Sequence, residues 1–284
     1  MAKVLVTADS NCDIGPEMEE KYQIPLFNWK VLLEGKTFTD SVDIFPDDLY
    51  TAWRERRALP QTSASSPYEY REFFQPYLDE GYEIVHLNLG SGLSASYENC
   101  CTAAEELGNV YPVNSNNLST GFGHLVIQAA KLAEQGDDAV TIQKKIQDMC
   151  GRAHASFLLD TLEFMAAGGR CSSVTALATT MLKIKPSIEV ENTNGGKMHV
   201  GKKYHGKVEN CLANYVKEKL EGRDDIDLER LFITHSGSPE SDIELVRQEV
   251  AKYQDFKDIQ VTRASCVIST HCGPRTLGIL FMTK

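Results

Sequence analysis

The chain lacks any apolar run of the roughly 20 residues that a membrane helix needs. It also lacks a basic block: 29 Lys and Arg stand against 40 Asp and Glu, a formal charge of −11. Nucleic acid and anionic membrane surfaces are therefore poor partners. No P-loop is present, since Gly195-Gly196-Lys197 has no glycine at the required upstream position. No C-x-x-C pair occurs among Cys12, Cys100, Cys101, Cys150, Cys171, Cys211, Cys266 and Cys272. Several of these lie inside apolar patterns, so buried, reduced thiols are expected, with no metal site and no disulfide framework. The first residues, MAKVLVTADS, lack a hydrophobic signal region and read as a strand. A cytoplasmic protein is expected.

What is present is an ordinary globular composition. The 284 residues are 42% hydrophobic and 24% charged, enough for one large or two modest domains. Strands are expected at Lys3–Ala8, over an extended run Gln23–Leu33, from Tyr82, and at Asn109–Asn114, where Pro112 argues for a sheet edge. Helices are expected from about Pro16, at Asp47–Arg57, Tyr68–Asp79, Ala95–Leu107, from the 115–121 turn to Gln135, and at Ala139–His154. This alternation predicts a parallel sheet with helices on both faces.

The pattern changes after residue 154. Ala155–Leu159, Arg230–His235 and Ile259–Ser265 read as strands. Lys185–Val190 and Lys197–Tyr204 flank a hairpin turn at Asn192–Gly196. Short helices are expected at Thr161–Ala167 and Val174–Leu182, longer ones at Lys207–Leu220 and Pro239–Tyr253, and 276–282 fits strand or helix. The expected fold is α/β with two domains, residues 1–154 and 155–284, the second with a mixed or antiparallel sheet.

One stretch organises the chain: Tyr82–Tyr97, YEIVHLNLGSGLSASY. A buried strand runs into a glycine–serine turn and then a helix. Such a turn aims unpaired N–H groups, short hydroxyls and the positive helix end at one point, which favours an anion. The hydroxyl-rich segment Gln61–Ser66 is its expected second half, and the Asp9–Asp13 turn is placed at the same crevice.

Three readings compete there. Gly90-x-Gly92-x-x-Ala95 matches a dinucleotide turn, but the next strand ends Val113-Asn114-Ser115 without the carboxylate that holds a ribose. Gly92-Leu93-Ser94-Ala95-Ser96 is one glycine short of a hydrolase elbow; Asp160 and His271 would complete a serine esterase built on Ser94. Non-covalent capture of a carboxylate needs only hydroxyls and N–H groups. Against all three, Ser91 and Ser94 fit simple turn and N-cap roles. Arg170, after Gly168-Gly169, fits an anion reader or a surface ion pair. His271 fits a functional group or a satisfied loop histidine, and no further Cys or His spacing makes a metal site of His271-Cys272.

Taken in order, the turns resemble the DegV family of bacterial fatty-acid-binding proteins. The matching pieces are Asp9–Ile14, Pro60-Gln61-Thr62-Ser63, Ser91–Tyr97, Leu162–Arg170, Ile184-Lys185-Pro186 and His271-Cys272-Gly273-Pro274. The resemblance implies two α/β domains with a lipid tunnel between them and no catalytic residue or cofactor. It implies a fatty-acid carboxylate held by Thr62 and Ser94, with Ser63, Ser91, Arg170 and His271 nearby. It further implies a long-chain acid such as palmitate, about sixteen to eighteen carbons, presented to a separate ATP-binding fatty acid kinase subunit. Departures are Ala95 and Ser96 for the usual Gly-Thr, Gly90 for a serine, Ser115 for Asp-Ser, and Arg275 for a glycine, which would set a bulky cation beside His271. The energetics agree. At about 0.8 kcal/mol per buried CH₂, such a tail supplies about 11–13 kcal/mol before association costs. Affinity can then reside in the tail, and neutral hydroxyls suffice for the head group.

Overall fold

The computed structural model describes residues 3–178 and 184–284. In the first half the elements are β1 (Lys3–Asp9), α1 (Pro16–Tyr22), β2 (Leu26–Phe27), β3 (Lys30–Leu33), β4 (Lys36–Thr39), α2 (Pro46–Arg56), β5 (Gln61–Thr62) and α3 (Pro67–Asp79). They continue with β6 (Tyr82–Asn88), α4 (Ser96–Leu107), β7 (Val110–Asn114), α5 (Ser119–Glu134) and α6 (Ala139–Met149). The second half has β8 (Ala153–Leu158), α7 (Glu163–Gly168), α8 (Ser172–Ala178), β9 (Ile184–Glu191), β10 (Lys197–His205) and α9 (Val208–Leu220). It closes with β11 (Ile226–His235), α10 (Glu240–Tyr253), β12 (Ile259–Arg263), α11 (Cys266–Cys272) and β13 (Leu277–Thr283).

The first sheet is wholly parallel, ordered β2-β1-β6-β7, with the Pro112-bearing β7 at an edge as expected. The second is mixed, ordered β10-β9-β8-β13-β11-β12; only β11 and β12 run parallel. Helix α5 lies between the sheets, touching β1 and β6 as well as β8, β11 and β13. Its residues from Ser119 to Ile127 are all buried, as a helix covered on several sides requires.

The structure departs from the sequence reading in five places, one of them the unread strand β4. The run Gln23–Leu33 is two strands, β2 and β3, in different sheets; between them the Trp29 N–H donates to Ser10 Oγ. The segment read as a loop at Leu59–Ser63 contains β5, which joins β3 and β4 in a small antiparallel sheet. The helix read as Ala139–His154 stops at Met149, and β8 starts at Ala153. Helix α11 went unread because CVISTHC is rich in poor helix formers. It is made by outside support: Ser265 Oγ caps it, and the buried Asp40 carboxylate accepts the Cys266 and Val267 N–H groups at 2.8 and 3.1 Å. The expected helix over 174–182 lies partly outside the described residues. All eight cysteines are unpaired, and all but Cys101 are buried.

Candidate functional site

The turn after β6 is held from below. At the end of β1 the fully buried Asp9 carboxylate accepts from Tyr70 Oη at 2.8 Å and from the Leu89 N–H at 2.9 Å. Above, the β9–β10 hairpin turn lies on it backbone to backbone. The Gly92 N–H donates to Gly195 O at 2.8 Å, and a Cβ on Gly90 would fall 2.4 Å from that same oxygen. This close approach explains why position 90 carries no serine. It also engages the Gly92 N–H, which a dinucleotide pyrophosphate would need, and so argues against that reading.

The two hydroxyl segments meet as the sequence predicts. Ser94 Oγ accepts the Ser96 N–H at 3.2 Å and lies 3.0 Å from Ser96 Oγ. Ser96 Oγ in turn accepts the Ser65 N–H at 3.1 Å, and Asn99 Nδ2 donates to Ser65 O at 2.7 Å. Thr62, on β5 opposite Val31, bonds through Oγ1 to His271 Nε2 at 2.8 Å. Thus the turn, the small sheet and α11 converge.

His271 is a neutral imidazole. Burial, then the charge of Arg170, hold its pKa down to about 4. Its Nδ1 is fully buried and has no hydrogen-bond partner among the described residues. Gly168 leaves room for the ring: a Cβ there would lie 2.3 Å from Nδ1. Arg170 is exposed, with Nη1 donating to Gly168 O at 2.6 Å.

These groups rim a cavity. Thr62, Ser63, Ser94, Arg170 and His271 form its polar part. The remaining walls are mostly apolar: Trp29, Leu89, Leu93, Leu118, Met165, Met198, Val267, Ile268 and Cys272. A second, more polar hollow shares Thr62, Arg170 and His271 and is bounded by Gln61, Gly168 and Thr270. One face of the rim therefore meets greasy walls and the other a polar recess.

Not every expected residue comes to the cavity. Ser91 does not line it; its Oγ accepts from Asn114 Nδ2 at 2.8 Å. Asp9 and Asp13 are spent inside the scaffold, Asp13 accepting from Ser119 Oγ and the Ser265 N–H. Arg275 turns away from the cavity, clamping the buried Asp242 carboxylate with contacts of 2.7 and 3.0 Å. No esterase triad forms either. Ser94 is partnered by serine, His271 by threonine, and Asp160 pairs with Lys185. The apolar walls supplied by Trp29, Met165 and Met198 were not foreseen. They carry no local signal, since the fold alone brings them together.

This architecture has known relatives. The profile for uncharacterised proteins of the DegV family matches residues 3–284. The chain belongs to the DegV family. A DegV domain-containing protein of Clostridium acetobutylicum is 27% identical, with both chains covered completely. The solved structure of a DegV family protein from Thermus thermophilus, described by its fatty acid binding, superposes with a TM-score of 0.87 at 26% identity over 100% of both chains. A DegV lipid-binding protein of Thermotoga maritima shares the fold, with a TM-score of 0.84 at 24% identity and 99% and 98% coverage. The two-domain α/β arrangement of this chain is thus the DegV arrangement.

Proposed function

We propose that this DegV protein binds a long-chain fatty acid without bonding to it covalently. The observation that carries the reading is a mostly apolar cavity whose polar groups gather at one place. Thr62 and Ser94 hydroxyls hold the carboxylate there, with Ser63, Arg170 and His271 around it. With its N–H on Nε2, a neutral His271 donates to Thr62 Oγ1 and leaves the Thr62 O–H free to donate to a carboxylate, without the desolvation cost of a second buried charge. The hydrocarbon lies on Leu93, Met165, Met198 and Ile268, between residues 1–154 and 155–284 taken as two domains. The fatty acid binding described for the Thermus thermophilus relative supports the assignment.

The polar recess beyond Thr62 and His271 leaves one side of a bound carboxylate approachable. This supports presentation of the acid to a separate ATP-binding kinase subunit, in the bacterial cytoplasm, for acyl-phosphate formation. In this role the protein is the non-catalytic, fatty-acid-binding partner. Mass spectrometry of protein purified from a bacterial host tests the reading. A co-purifying straight-chain acid of about sixteen to eighteen carbons is expected. A ligand-free preparation that also rejects added palmitate would overturn it.

A further inference from the structure

Behind the first cavity lies another, smaller hollow, bounded by Phe157, Thr234, Ala264, Gly278 and Leu280. The two have three walls in common: Leu118, Ile268 and Cys272. Ile268 and Cys272 are four residues apart on α11, so they project from one helix face. His271, three residues beyond Ile268, bounds the first cavity at the rim. A single helix therefore carries both a head-group residue and the partition between the hollows.

The chemistry of the inner hollow selects its occupant. Its hydroxyls are already engaged within the protein. Thr234 Oγ1 lies 2.6 Å from Thr120 Oγ1 and 3.0 Å from Thr262 Oγ1. Ser119 donates to Asp13, Ser236 to Gly273 O, and Thr276 to Cys272 O. The Nδ1 of His235 accepts the Gly237 and Ser238 N–H groups. A second head group, or a water needing two to four partners, finds little left to bond. A hydrocarbon end asks for nothing more.

We infer that Leu118, Ile268 and Cys272 form a septum that sets acyl length: a long tail passes Ile268 and ends in the inner hollow. This rests on the fatty-acid reading above and adds the residues that grade its ligands. Each methylene that enters buried apolar space is worth about a fourfold change in affinity, so closing the inner hollow penalises long acids selectively.

Two variants close it from opposite sides. Ile268→Phe thickens the septum, and Ala264→Leu fills the space behind it. Each is titrated calorimetrically with straight-chain acids of roughly ten to twenty carbons, after a thermal melt shows it folded. The preferred length is expected to fall by about two carbons or more in both, the longest acids losing at least about tenfold, and in Ala264→Leu, which does not touch the first cavity, the shorter acids keep wild-type affinity. A folded variant with the wild-type length profile overturns the septum and leaves the fatty-acid reading standing. Wild-type protein that binds no acid of the series overturns both. A crystal of the wild-type protein with a long acid brominated at its terminal carbon asks the same question without a variant. Bromine beside Phe157 and Leu280 is expected; bromine on the Trp29 or Met198 side overturns the inference.

Discussion

Thr62 and His271 are 209 residues apart in sequence and 2.8 Å apart in space. Their hydrogen bond closes β5 of the small sheet onto α11 at the cavity rim. If Thr62 holds a carboxylate, Thr62→Ala removes one hydrogen bond to a charged group, about 1.5–3 kcal/mol. Affinity for a long-chain acid should fall roughly 10- to 100-fold, and Ser94→Ala should act similarly. Displacement of a fluorescent acid measures this; wild-type affinity in both folded variants would move the head group elsewhere.

Gly168 gives the same rim an indirect handle. A methyl group there meets the His271 ring at 2.3 Å, so Gly168→Ala must push the imidazole out of place. It should weaken acid binding at least about tenfold, as loss of a charge-assisted bond does. Next door, Gly169 has φ +67° and, among the described residues, nothing within 4 Å of where its Cβ would stand. Gly169→Ala should instead cost about 1 kcal/mol of stability through left-handed strain and leave affinity unchanged. Affinities that do not separate the two variants would count against the ring's role.

Ser91 provides a negative control. Its bonds go to Asn114, through Oγ at 2.8 Å and the backbone N–H at 3.1 Å. Ser91→Ala should cost about 1 kcal/mol in urea unfolding and nothing in affinity. A binding defect as large as that of Ser94→Ala would return Ser91 to the rim.

Acid should unfold the protein by a readable route. Burial holds His271, His124 and His235 at about 4, against about 6.5 in an unfolded chain. Between those values the unfolded chain takes up protons that the folded chain refuses, so stability drops as pH is lowered through the window. Asp13, pushed up to about 7 by burial, works the other way: its contribution is lost as pH rises from about 4 to 7. Burial also lowers His154 and raises Asp40 and Glu19, so four histidines oppose three carboxyls and urea midpoints should fall modestly from pH 6.5 toward pH 4. His271→Gln should flatten that slope by about 1.4 kcal/mol per pH unit in mid-window. An unchanged slope would mean that His271 titrates normally.

Much of this was legible beforehand. The strand-turn-helix at Tyr82–Tyr97 shows in its apolar run, its glycines and the C-terminal Gly108. The Gln61–Ser66 segment shows in its hydroxyls. The hairpin shows in Asn194-Gly195-Gly196, but its seat on Gly90 and Gly92 does not, because nothing local says which turns will stack. Asp40 carries no local signal; only the fold reveals that it supports α11. The sequence sets Arg275 close to His271, with three residues between them. The left-handed backbone at Arg275, φ +58°, and the buried Asp242 instead turn it away.

Strand β13 sits between β8 and β11 and follows α11 in the chain. Until residues 277–283 slot in, the mixed sheet is two fragments, β10-β9-β8 and β11-β12, each with a bare inner edge. Such edges invite pairing with other chains. During synthesis, then, this half of the molecule passes through an interval of exposure that ends only when β13 zips the fragments together. Chaperone dependence, if it is found, should centre on that interval.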